Sequence, residues 1–353
     1  MIRLLIIDDS IFMRRKLTEV FAGAPNFQVV GAARDGAEGL RMAKELRPDL
    51  ITLDLEMPVM DGLTVLPRIL MEAPCRVVML GSPTKRSPDV MLECLNLGAV
   101  DAITKPSGEV SLDIGNYSQD LIDRLRSAAE ARRPTRRFKA TRRPPAAAPG
   151  RDDPARIILA IGASTGGPKA VSEVISELPA GLPCAIVVVQ HMPPNFTASF
   201  AARLSQAGAY PFHESGAGET LLVGHGYVAA GSRHAGLAPR SGGGFQFRTL
   251  LQPADHPHKP SVDVFFHACA EVVGALTVAA LLTGMGDDGA AGMKAIRDAG
   301  GPTVAEDEST CVVFGMPARA IEMGGAAHVL PLPRIAHHLA RCVQECAGRR
   351  AQT

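Results

Sequence analysis

The sequence predicts an α/β protein: an N-terminal doubly wound five-stranded parallel sheet of flavodoxin-like type, linked to a second α/β domain with a mainly parallel sheet and a small antiparallel hairpin region. Three observations carry this. Short apolar runs alternate with segments of helical spacing in both halves of the chain. Several of those runs end directly on a carboxylate, a hydroxyl or an imidazole. An Arg/Pro/Ala-rich stretch with almost no bulky apolar residue separates the halves. A length of 353 residues suits two domains, and 46% apolar residues suffice for two cores. The boundaries read as 1–125, a linker 126–154, a second domain 155–346 and a disordered tail 347–353.

In the first domain, Leu4-Leu5-Ile6-Ile7 reads as a strand ending in Asp8-Asp9, followed by a helix from Ile11 to Phe21. Strand and helix then alternate through Gln28–Ala33, a helix to Arg47, Leu50–Asp54, a helix after Gly62, Arg76–Leu80, a helix over Asp89–Leu97, and Ala102–Thr104. Pro67 inside the third helix predicts a kink. In a doubly wound sheet the ligand site lies beyond the carboxyl ends of the strands, where Asp8, Asp9, Asp54 and Lys105 all fall. Three hard oxygen donors suit Mg²⁺, and an ammonium suits an arriving phosphoryl charge. For any one of these residues a helix cap or an ordinary turn is the simpler reading; four at matching strand ends favour a phosphoryl site.

Asp8-Asp9, Asp54 with Leu55-Glu56-Met57-Pro58 and Met60-Asp61-Gly62, and Lys105-Pro106 together resemble a response-regulator receiver domain. The resemblance implies Asp54 as phosphoacceptor, Asp8, Asp9 and Asp54 as Mg²⁺ ligands, Lys105 as phosphate partner, and a cis peptide before Pro106. Two positions depart from that family. Its strand-end hydroxyl aligns with Gly81, beside Ser82, and its aromatic aligns with Ala102.

The segment from Arg132-Arg133-Pro134 to Pro149-Gly150 cannot bury a core and reads as a linker, extended where proline is dense. It has no interleaved aromatics for base stacking, and the net charge of +1 gives no general pull toward nucleic acid or membrane. No signal-like or membrane-spanning segment is evident. Seven scattered cysteines without a Cys-x-x-Cys pair read as reduced thiols of a cytoplasmic protein.

The second domain opens on Ile157–Ile161, a buried-strand pattern, then Gly162-Ala163-Ser164-Thr165-Gly166-Gly167-Pro168 and a helical pattern. Ser164 therefore stands on a strand-to-helix turn. Gly162-x-Ser164-x-Gly166 fits a nucleophile elbow, although so short a pattern also suits a plain turn or a phosphate loop. Ala185–Val189 leads into Gln190-His191, and Ala275–Leu282 into Thr283-Gly284-Met285-Gly286-Asp287-Asp288-Gly289. A hydroxyl, an imidazole and a carboxylate thus end three apolar strands, and a parallel sheet brings such ends to one edge. That convergence predicts a Ser–His–Asp relay, with N–H groups of the Gly284-Met285-Gly286 turn placed to hold an oxyanion. The order Ser, His, Asp differs from the α/β-hydrolase order. Glu219–Val223, Gly226–Ala229 and Phe245–Leu250 read as the antiparallel region. His213, His225, His234, His256 and His258 have no recognised zinc spacing, and Met192, Met285 and Met293 read as packing residues. His337-His338 and Arg349-Arg350 read as solvated.

With Pro260-Ser261-Val262-Asp263-Val264-Phe265-Phe266 and the run from Leu282 to Met293, these motifs resemble the catalytic domain of the chemotaxis protein-glutamate methylesterases. The resemblance implies Ser164, His191 and Asp288 as the triad, a main-chain N–H near Met285 as oxyanion donor, and no cofactor in this domain. Asp287 stands where many relatives have Asn. It also implies methylated chemoreceptors as substrate, glutamine deamidation on the same receptors, a histidine kinase as phosphodonor, and a receiver that packs over the catalytic site and lifts when phosphorylated. Two other readings are a receiver-controlled adaptor without catalysis and a DNA-binding regulator. The second lacks any evident recognition helix.

Overall fold

The computed structural model describes residues 1–82, 87–105, 114–131, 153–251, 253, 256 and 258–350. The chain divides into two compact units, Met1–Arg137 and Phe138–Thr353. The first contains β1 (Ile2–Ile7), α1 (Ile11–Ala22), β2 (Phe27–Ala33), α2 (Gly36–Leu46), β3 (Leu50–Asp54), α3 (Gly62–Glu72), β4 (Arg76–Gly81), α4 (Ser87–Leu97), β5 (Asp101–Thr104) and α5 (Ile114–Glu130). Its sheet order is β2-β1-β3-β4-β5, with every pairing parallel. The central strand β3 is buried throughout because helices cover both faces of such a sheet. Ser10, Asp35 and Asp61 begin α1, α2 and α3 by accepting amide hydrogens of the first turn.

Pro67 lies inside a continuous α3, where buried Val65, Leu66 and Ile69 hold the helix across the missing N–H. The compositional boundary at residue 125 falls inside α5. Leu121, Leu125 and Ala128 recur at helical spacing and are fully buried, so small apolar residues carry the helix to Glu130. Pro106 and the linker segment from Arg132 to Gly150 lie outside the described residues.

The second unit contains β6 (Ile158–Ala163), α6 (Gly167–Glu177), β7 (Ala185–Gln190), α7 (Pro194–Ala207), β8 (Phe212–Glu214), β9 (Gly226–Val228), β10 (His234–Pro239), β11 (Phe245–Leu250), α8 (Val262–Val272), β12 (Thr277–Leu281), α9 (Ala290–Asp298), β13 (Thr303–Glu306), α10 (Met316–Glu322), β14 (His328–Leu330) and α11 (Leu332–Arg350). Seven strands form a parallel sheet in the order β14-β13-β12-β6-β7-β9-β8. The chain leaves β6 toward β7 on one side and returns at β12 on the other. The end of β6 is therefore a topological switch point, where such sheets open a crevice.

The antiparallel region is smaller than expected and differently built. Gly226–Val228 is a parallel strand between β7 and β8, and the segment from Glu219 to Val223 makes isolated bridges such as Thr220 to Gln246. The partner of β11 is β10, whose His-Ala-Gly-Leu-Ala-Pro sequence has too few bulky residues to read as a strand. Its Ala235 and Leu237 join Phe247, Tyr227 and the α8 side chains Val262, Phe265 and Phe266 in one core. At the other end α11 continues through Arg350 rather than ending at 346, anchored by buried Val343 and Cys346. His338 is buried against His328, not solvated. Residues 351–353 lie outside the described residues.

Candidate active site

In the first unit Asp8 follows β1, Asp54 ends β3 and Lys105 follows β5, so the sheet order gathers them at the β1/β3 switch point. The Lys105 Nζ lies 2.7 Å from Asp8 Oδ2 and 2.8 Å from Asp54 Oδ2. Asp8 and Asp54 are buried and Asp9 is exposed. Burial pushes Asp54 up to about 6, against the opposing pull of Lys105. Burial would lower the Lys105 ammonium, but the Asp54 and Asp8 charges outweigh it and raise it. One oxygen from each of Asp8, Asp9 and Asp54 falls within 4.8 Å of the others, an all-oxygen donor set that fits Mg²⁺. The simpler reading of Asp8-Asp9 as a helix cap fails, since Ser10 caps α1. Gly81 ends β4 and gives its carbonyl to the Lys105 amide.

In the second unit β12, β6 and β7 are adjacent, which brings the three sequence-predicted groups together. Ser164 follows β6, where Gly166 adopts φ +78° to start α6. Its Oγ lies 3.1 Å from His191 Nδ1, and His191 Nε2 lies 2.6 Å from Asp288 Oδ2. The carboxylate sets the tautomer: Nε2 carries the proton and donates it to Asp288, leaving Nδ1 as the acceptor facing the hydroxyl. That is the arrangement of a general base beside a weak nucleophile.

Asp288 is held at the start of α8. Its Oδ2 accepts the Val262 N–H at 2.7 Å, and its Oδ1 accepts the Asp263 N–H at 2.9 Å and the Ser261 hydroxyl at 2.7 Å. Burial would raise this carboxyl, but the hydrogen bond and charge of His191, with the Asp263 amide and the Ser261 hydroxyl, hold it well below the usual carboxylate range. A helix N-terminus is a natural seat for an anion. The sequence motif Pro260-Ser261-Val262-Asp263 therefore builds a socket for the carboxylate, while Ser261 also caps α8 through Val264 N–H. Ser261→Ala removes both bonds. It is expected to cost about 1 kcal/mol of stability and to slow turnover, checked by denaturant melts alongside steady-state kinetics.

Other residues at this edge carried no assigned role in the sequence. Gln190, almost fully buried, donates from Nε2 to the Ser164 carbonyl at 2.8 Å and so fixes the elbow. The His258 ring stacks on His191 at 4.1 Å and 17°, and His256 Nε2 stands 3.7 Å from Asp288 Oδ1. His256 and His258, which have no recognised zinc spacing in the sequence, thus line the site. Gly284 approaches Ser164 so closely that a Cβ there would lie 2.8 Å from the serine Cβ, which places Met285 one residue from the nucleophile. Asp287 is exposed on the same turn, whereas Asp288 is buried. Among the described residues, Asp8, Asp9 and Asp54 alone satisfy a metal-binding geometry, and the histidines do not.

Comparison with known proteins agrees with this architecture. Residues 159–339 match the CheB methylesterase family and residues 4–113 the response regulator receiver domain. The chain is 42% identical over 348 residues to a protein-glutamate methylesterase/protein-glutamine glutaminase 2 of Pseudomonas aeruginosa, covering 99% of this chain and 98% of that one. The chain belongs to the protein-glutamate methylesterase family. A second family member, from Shigella flexneri, is 41% identical, with 96% of each chain covered. The crystal structure of the Thermotoga maritima CheB methylesterase catalytic domain matches the second unit with a TM-score of 0.51 and 41% identity, covering 52% of this chain and 97% of that one. None of the seven cysteines of this methylesterase-family chain forms a disulfide, and all are buried. Among the described residues no helix is long and apolar enough to cross a membrane.

Proposed function

We propose that this protein is a phosphorylation-activated cytoplasmic serine hydrolase that removes methyl groups from glutamate methyl esters of chemoreceptors and deamidates receptor glutamines. The observation that carries the reading is the continuous Ser164–His191–Asp288 chain of contacts, with His191 Nδ1 facing the hydroxyl and Nε2 facing the carboxylate. Ser164 Oγ attacks the ester carbonyl as His191 Nδ1 takes its proton, and Asp288 stabilises the imidazolium. The same proton passes to the departing methoxide, releasing methanol and leaving an acyl ester on Ser164. Water, deprotonated by His191, then returns the glutamate and the free serine; an amide substrate releases ammonia instead. A backbone N–H near Met285 holds the oxyanion. Such a donor contributes roughly 2.7–4 kcal/mol of barrier lowering. An adaptor without catalysis has no need of this proton relay.

In the receiver, Asp54 accepts the phosphoryl group from a histidine kinase and Lys105 pairs with the added charge. Asp8, Asp9 and Asp54 would hold Mg²⁺, which would supply positive charge to offset the phosphoryl group. Moving a two-state domain equilibrium from about 1:99 to 99:1 takes roughly 5.5 kcal/mol, and the phosphoryl–Lys105 contact supplies part of it. Asp54→Asn is expected to abolish stimulation by a small phosphodonor, measured as methanol released from methylated receptor membranes. Undiminished stimulation in that variant refutes Asp54 as the switch. The same assay on the unaltered chain tests the function itself: no methanol release, with or without phosphodonor, refutes it.

A further inference from the structure

A second buried carboxylate stands at this sheet edge without a part in the relay. Glu306 ends β13, next to β12, and is 0% exposed. Its Oε2 accepts the Thr283 N–H at 2.8 Å, while its Oε1 has no hydrogen-bond partner. Thr283 is the hub of the Ser164 turn. Its carbonyl accepts the Ser164 N–H at 3.0 Å, and its hydroxyl donates to the Thr165 carbonyl at 3.0 Å and accepts the Val313 N–H at 2.9 Å. One side chain therefore touches the segment that holds the nucleophile from the opposite side to Gln190.

Among the described residues no cation pairs with this carboxylate. The Thr310 hydroxyl, Glu173 of α6 and the Cys311 thiol act on it, and none brings positive charge. The basic residues of the helices packed on β13 are engaged elsewhere: Lys294 with Asp298, Arg319 with Glu322, Arg341 with Glu345, and Arg297 with the Gly324 and Ala326 carbonyls. A buried carboxylate with no counter-charge is costly when ionised. Burial pushes Glu306 up to about 7; the Thr283 amide, the Thr310 hydroxyl and the Cys311 thiol pull the other way, and the Glu173 charge adds to the rise.

We propose that Glu306 is a positioning residue: in its neutral form it holds the Thr283 hub under Ser164, and its ionisation loosens that hub and slows hydrolysis. The neutral acid leaves the Thr283 bond intact. The anion draws water or its partners toward Oε1, and a movement there pulls on the Thr283 amide bonded to Oε2 and so on the Ser164 turn. The inference rests on Ser164 being the nucleophile, and the experiments separate the two ideas.

The pH profile of the full-length chain hydrolysing p-nitrophenyl acetate, compared with Glu306→Gln, is the direct test. In the unaltered protein kcat is expected to fall at least fivefold between pH 7 and pH 9 with KM within twofold. The Gln variant, a neutral isostere, keeps its pH 7 rate within twofold across that range. Glu306→Ala, which strands the Thr283 amide, lowers kcat at every pH. Superimposable profiles for the Glu and Gln proteins overturn the proposal. Stability provides the sign check. A carboxyl raised on folding stabilises the fold below its unfolded value near 4.5, and that contribution is lost as pH rises through about 7. Glu306→Gln should therefore raise Tm at pH 8.5 and not at pH 4.5. If neither protein turns over the ester, the hydrolase reading fails, and hydrogen exchange of residues 281–289 in the unaltered chain still decides the role of Glu306. Protection that drops severalfold above pH 7, after correction for the intrinsic rate, supports it. Constant protection overturns it, as it does if the Gln variant fails to fold.

Discussion

Ser164→Ala is expected to reduce methyl-ester hydrolysis by on the order of 10⁴-fold or more, with the far-ultraviolet circular dichroism and Tm of the unaltered protein. The size of the loss follows from what the hydroxyl does. On the proposed mechanism it is the atom that forms the acyl ester, and it stands 3.1 Å from His191 Nδ1, the proposed base. The fold is spared because Ser164 sits half-buried on a turn held by its backbone: the Thr283 carbonyl takes its N–H and the Gln190 amide takes its carbonyl, neither of which the substitution touches. Methanol release and active-site labelling by a fluorophosphonate give two independent readings. Full turnover in the folded variant, or labelling that persists at another residue, sinks the nucleophile assignment.

Asp288→Asn is expected to cost about 10⁴-fold in kcat by reversing the imidazole. The carboxylate accepts from four donors: the Ser261 hydroxyl, the Val262 and Asp263 amides, and His191 Nε2. A carboxamide can present its oxygen to the helix amides only by turning its NH₂ toward Nε2. The histidine proton then moves to Nδ1, which becomes a donor toward Ser164 and no longer a base. The depressed ionisation of Asp288 makes a second reading available. A carboxyl lowered on folding contributes stability above its unfolded value near 3.8, lost as pH falls through the folded value. The variant should therefore be less stable than the unaltered chain at pH 7, with the difference shrinking on strong acidification. Unchanged kcat together with unchanged acid stability means Asp288 neither orients His191 nor stays ionised.

Much of this was legible in the primary structure. β3 and the helix starts at Ile11 and Gly62 matched, because continuous apolar strands and Ser or Asp caps are local signals. The convergence of Asp8, Asp54 and Lys105, and of Ser164, His191 and Asp288, was legible because a parallel sheet sends every strand's carboxyl end to one edge. The end of α5 was not, since small alanines bury a helix face without looking like a core. Nor was the β10–β11 pairing, where a weak strand is recruited by the neighbour it covers.

What the sequence alone determined is which chemical groups terminate which strands: a hydroxyl after β6, an imidazole after β7 and carboxylates on the turn after β12. What the tertiary structure decided is their mutual office. The order β13-β12-β6-β7 makes those ends neighbours, and the α8 N-terminus and the ring of His191 keep Asp288 charged. Glu306, buried and paired with no cation among the described residues, is pushed the opposite way by its burial. Two acids of one intrinsic chemistry part company because ionisation depends on the donors, charges and water around a carboxyl, and those are assembled from segments far apart in the chain.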